Sequence, residues 1–89
     1  MDNYLSYFWG DNAMIRFRLK ELLANYQFEE ETKLTFDELA KKTGVNRTTL
    51  SKIANQRGYS TVTDNIDKLC DFFGCTVADL MEHIPSKKE

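Results

Sequence analysis

Residues 34 to 56 read LTFDELAKKTGVNRTTLSKIANQ, and the placement of a few residues within them decides the fold. Thr35 is a good helix N-cap, and Glu38 stands three residues on as the reciprocal half of a capping box. Leu34 and Leu39 sit where a hydrophobic staple closes around that cap. The helix so started runs through Ala40 to Thr43 and ends at Gly44, the residue best able to adopt the left-handed C′ conformation. Asn46 is a second N-cap, Val45 and Leu50 form a second staple pair, and Leu50 and Ile53 point inward from a helix of about 47 to 56. Only Gly44, Val45 and Asn46 separate the two helices, which is the spacing of a helix-turn-helix over residues 35 to 56.

The flanking segments continue the helical pattern. Ile15, Leu19, Leu22, Leu23 and Tyr26 recur with a period near 3.6, so residues 12 to 26 are expected to form a first amphipathic helix. QFEEETK then reads as a long acidic insertion before the second helix. Val62, Ile66, Leu69, Cys70 and Phe73 make one apolar stripe of a fourth helix, ended by Gly74. Thr76 and Asp79 have capping-box spacing for a fifth helix, with Cys75 and Leu80 as its staple. The expected fold is all-α: a five-helix domain over residues 12 to 85, an aromatic extension over 1 to 11 and a short tail over 86 to 89.

Composition bounds the function. Eighty-nine residues with 42% hydrophobic content are enough for one small core but not for two. No apolar run approaches the roughly 20 residues a membrane span requires. MDNYLSYFWGD lacks the basic start and smooth apolar core of a secretory signal, so a cytoplasmic location is the expectation. Cys70 and Cys75 have no ligand pairs near them and read as core residues, and His83 reads as a surface or helix-terminus residue. No catalytic triad, zinc motif, P-loop or dinucleotide fingerprint is present, so neither an enzyme nor a cofactor is expected.

Charge is distributed unevenly. The chain has formal net charge −2, yet Lys41, Lys42, Arg47, Lys52 and Arg57 occupy residues 39 to 63 without a single acid. Such asymmetry suits a body kept soluble by its acids that presents one face to a polyanion.

The stretch LTFDELAKKTGVNRTTLSKIANQ resembles the DNA-binding unit of the phage-repressor, Cro-type (XRE-like) helix-turn-helix regulators, through Ala40, Gly44, Val45, Leu50 and Ile53. TDNIDKLCDFFGCTVADLMEHIP is similar to the last two helices of a compact subgroup, so the likeness covers residues 13 to 85. It implies a sequence-specific regulator of transcription, a repressor, whose third helix enters the major groove of double-stranded DNA. Arg47, Thr48 and Lys52 match the family's base-reading positions. Arginine and lysine suit guanine O6 and N7, and threonine offers a methyl or a hydroxyl. Thr35 and Phe36 open the second helix, whose free amides suit a phosphate. Asn46, Thr49, Ser51, Asn55, Arg57, Tyr59 and Ser60 are candidates for backbone or supporting contacts. Family members often carry a phosphate-binding glutamine where this chain has Phe36.

Tyr4, Tyr7, Phe8 and Trp9, with Leu5, either fold back onto the core or form a self-association surface. Met81 and Ile84 in the last helix offer a second candidate interface. A twofold dimer sets its recognition helices about 34 Å apart and reads a palindrome. The competing function is a protein-interaction or antitoxin-like partner module on the same fold, favoured by the acidic pI of about 5.4, by Phe36 and by the acidic insertion.

Overall fold

A computed structural model of the chain describes residues 13–85. In chain order the elements are β1 (Met14–Phe17), α1 (Leu19–Glu30), α2 (Phe36–Thr43), α3 (Arg47–Asn55), α4 (Thr63–Phe73), α5 (Val77–Leu80) and β2 (Met81–Ile84).

The central pair of helices forms as its caps require. The Glu38 amide donates to the Thr35 hydroxyl at 3.1 Å, and the Thr35 amide donates to the Glu38 carboxylate at 2.9 Å. Gly44 ends α2 at φ 82°, a left-handed value that costs glycine little. The turn after it is braced by Thr43, whose hydroxyl donates to the Leu39 carbonyl at 2.8 Å and accepts from the Val45 amide at 3.1 Å. Leu34, Leu39, Val45 and Leu50, the four staple residues, are all buried, and with Ile53 they join Leu19, Ile66, Leu69 and Leu80 in the core. Burying each such side chain stabilises the fold by about 1.5–3 kcal/mol relative to leaving it in water.

The two ends of the described region depart from the all-α expectation. Residues 14–17 are extended, and β1 pairs antiparallel with β2 in the register Met14↔Ile84, Ile15↔His83, Arg16↔Glu82 and Phe17↔Met81. Ile15 therefore lies on a strand, and the first helix spans Leu19–Glu30 rather than residues 12 to 26. The fifth helix is a single capped turn, after which Met81 and Ile84 belong to the second strand rather than to a helix, as does the exposed His83. Ion pairs fix the register: Glu82 lies 3.0 Å from both Arg16 and Arg18, and Arg16 also reaches Glu21 at 3.0 Å. Backbone bonding joins in, with the Arg18 amide donating to the Leu80 carbonyl at 2.8 Å. Among the described residues the fold is thus mostly helical, closed by a two-stranded sheet.

Two further expectations are corrected. Gln27 to Glu30 are the last turn of α1, so QFEEETK is not a long insertion; the connection is short and begins at Glu31, in left-handed conformation at φ 53°. Val62 is the N-cap of α4 and 64% exposed rather than part of its buried stripe. Cys70 and Cys75 are free and pack against the core. Burial, and then the neighbouring Cys70, pushes the Cys75 thiol up to about 11, so near neutral pH it stays protonated and behaves as a small apolar group. No helix among the described residues is long and apolar enough to cross a membrane.

Candidate nucleic-acid interface

With Leu50 and Ile53 turned into the core, α3 offers Arg47, Thr48, Lys52 and Asn55 as exposed side chains, while Thr49 and Ser51 are half-buried. Its N-terminus is capped by Asn46, whose side-chain oxygen accepts from the Thr48 amide at 2.7 Å and the Thr49 amide at 3.4 Å. That cap satisfies donors that a helix start otherwise leaves open, and it fixes where Arg47 and Thr48 leave the helix. Asn46→Ala is expected to lower the unfolding free energy by about 1 kcal/mol, read from the denaturant midpoint; a change below about 0.3 kcal/mol would contradict the role of this cap.

The candidate cations are not equally free. Arg47 forms an ion pair with Asp37, its Nε lying 2.8 Å from Oδ1, across from α3 to the first turn of α2, with side chains 63% and 69% exposed. Lys52 places its ammonium 6.0 Å from the centre of the Tyr59 ring, within range of a cation–π attraction. Tyr59 thereby joins the loop after α3 to the helix face. Lys41 and Lys42 stand in the last turn of α2, where positive charge complements the helix dipole. Arg57 and Ser60 are exposed in the loop beyond α3. Asn55 turns back on its own helix, its amide donating to the Ser51 carbonyl at 3.0 Å. Phe36 packs against the core instead of standing free at the start of α2. Thr35 is occupied in the capping box, which leaves main-chain amides as the donors available there.

The helix pair thus brings Arg47, Thr48 and Lys52 onto one element and sets the N-terminus of α2 beside that of α3. Tyr4, Tyr7, Phe8 and Trp9 lie outside the described residues. Sequence reasoning overlooked Asp37. The available signal was an acid in the first turn of one helix ten residues before a base opening the next, across a turn that brings those ends together.

Lining the gap between β1 and the end of α3 is a groove of about 350 Å³, with Arg16, Lys20 and Arg57 on its rim. Among the described residues no group of three or more histidines, cysteines and carboxylates is placed to hold a metal ion.

A search of curated protein sequences finds no match. Among solved structures, the chain is similar to the transcriptional regulator VanUg, with a TM-score of 0.60, 16% identity and coverage of 96% of this chain and 97% of that one. At that identity the likeness speaks for the fold. The family model described as a Cro/C1-type HTH DNA-binding domain matches residues 18–86, which include the capped helix pair, α4 and the residues of β2. On that match, the chain belongs to the Cro/C1-type helix-turn-helix family of DNA-binding domains.

Proposed function

We propose that this chain is a sequence-specific transcriptional regulator acting as a repressor, with α3 in the major groove of double-stranded DNA. The observation that carries the reading is the capped, outward N-terminus of α3, which bears Arg47 and Thr48 on a family scaffold whose inner face is fully buried. In this reading Arg47 and Lys52 address guanine acceptors and Thr48 a thymine methyl or a base-edge acceptor. The amides at the start of α2, with Arg57, Tyr59 and Ser60, hold phosphates, and Asn46, Thr49, Ser51 and Asn55 support α3. Regulation follows by occlusion of a promoter. A twofold dimer, through Tyr4, Tyr7, Phe8 and Trp9, reads a palindrome.

A protein-interaction module is the less favoured reading. Glu29 and Glu30, two of the acids that favour it, are part of α1, and Phe36, which gives no side-chain donor to a phosphate, packs against the core.

The test is retardation of a fragment library from the source genome by the folded chain at low salt. Bound fragments are expected to share a sequence, and log K is expected to fall linearly with log salt concentration, by about 0.9 per phosphate neutralised. Folded protein that retards nothing at low salt would overturn the proposal.

A further inference from the structure

We infer that Asp37 is a positioning residue that sets the arginine fork of Arg47 for a guanine, and thereby determines base preference at that position of the site. The inference rests on reading α3 as the recognition helix. It starts from which nitrogen Asp37 takes. The carboxylate pairs with the guanidinium on its Nε edge, Oδ1 lying 2.8 Å from Nε. A guanidinium is planar, so an anion on the Nε edge favours orientations in which both terminal amino groups point away from it. Those two groups are what a guanine requires, one for O6 and one for N7 in a single plane. Among the described residues, Arg47 has no other ion-pair partner, so its fork remains available.

Asp37 shares with Glu38 the favourable place of an acid in the first turn of α2, but it takes no part in the cap. The reciprocal cap of α2 is made by Thr35 and Glu38, and Glu38 already supplies an acid to the first turn. A carboxylate at the start of α2 is, moreover, unfavourable where phosphates are to be held, since like charges repel. In free solution an ion pair this exposed contributes little. Against DNA the same contact loses its water, and the attraction between the two charges then gains strength. The carboxylate therefore acts on which base is accepted rather than on the stability of the domain.

The experiment measures binding of the full chain to a randomised double-stranded DNA library, with sequencing of bound molecules, for the wild type and for Asp37→Ala, Asp37→Asn, Arg47→Ala and the Asp37→Ala/Arg47→Ala pair. Asp37→Ala is expected to reduce the guanine preference at one position by about tenfold, within the range one bidentate contact supplies. Binding to unrelated DNA should stay equal or rise, because a negative charge has been removed. Asp37→Asn keeps an oxygen acceptor for Nε and should stay within about threefold of the wild-type preference. With Arg47 already replaced, removing Asp37 should leave the base preference unchanged.

Circular dichroism should show all variants folded. Should Asp37→Ala strengthen or weaken binding to every sequence alike, with the guanine preference intact, the carboxylate is only a charge near the backbone and the inference is overturned. An effect of equal size in the Arg47→Ala background overturns it too. If Arg47→Ala itself changes no base preference, the recognition reading fails first and the inference goes with it.

Discussion

Leu50→Ala lowers the unfolding free energy by about 2–5 kcal/mol, the range for emptying a packed leucine site. Leu50 is fully buried on the inner face of α3, in a core to which the described residues contribute nine buried hydrophobic side chains. A chain of this length has a stability of about 4–13 kcal/mol at the usual 0.05–0.15 kcal/mol per residue, so the loss takes a large share of it. The cost adds the lost transfer of the side chain to the cavity left behind, because neighbours relax only partly. Urea denaturation of the two chains measures it. Lys42→Ala, exposed in the last turn of α2, should stay within about 0.5 kcal/mol of the wild type in the same assay. A loss below about 1 kcal/mol for Leu50→Ala would mean that α3 is not held to the core through this side chain.

Arg47→Ala relaxes base discrimination at one position of the site by about 1–3 kcal/mol, roughly 5- to 150-fold, while stability hardly changes. Stability is spared because the ion pair to Asp37 is more than half exposed on both sides, and such pairs contribute little to folding. Discrimination suffers because alanine has no donors for a guanine edge. Competition binding with every base substituted in turn at each position separates this from a phosphate role. Loss of a phosphate contact weakens all sequences nearly equally and reduces the salt slope by about 1. A uniform loss without any change in base preference would remove Arg47 from the base-reading set.

Which parts were legible in the sequence depended on how local their causes are. The cap at Thr35 and Glu38, the turn at Gly44, the cap at Asn46 and the cap at Thr76 and Asp79 are each settled within a few residues, and each formed where the sequence placed it. The first helix had no such marker. Arg18 precedes it without any side-chain cap bond, and its end falls at Glu31, where a left-handed residue is usually announced by glycine. Ile15 stands four residues before Leu19 and so fits a helical stripe equally well, although it lies in a strand. The strands are four residues each, and their pairing partner is supplied from the opposite end of the chain, where no local period can reveal it. Val62 misled for a related reason: hydrophobicity placed it on the stripe, but the residue beginning a helix sits outside its buried face.

The candidate interface was legible as a set of residue types and illegible in its couplings. The inward residues Leu50 and Ile53 leave Arg47, Thr48, Thr49, Ser51, Lys52 and Asn55 on the outer side of α3, and the family resemblance singled out Arg47, Thr48 and Lys52 among them. That Arg47 meets Asp37 and that Lys52 lies over Tyr59 depends on the crossing of α2 with α3 and on the path of the loop, which only the assembled chain specifies.

Met14 and Ile84 pair across the length of the domain, whereas Asp37 and Arg47 meet across one turn. Loop-closure entropy grows with the logarithm of the segment closed, so joining ends about seventy residues apart costs roughly 2 kcal/mol more than joining ends about ten apart. The unit that carries Arg47 therefore stands on contacts that ask little of the chain's freedom. The strand pair makes the heavier demand, and ion pairs from Glu82 to two arginines help to meet it. Shape at the reading helix is in this way specified by near neighbours, and the clasp at the ends confines the whole.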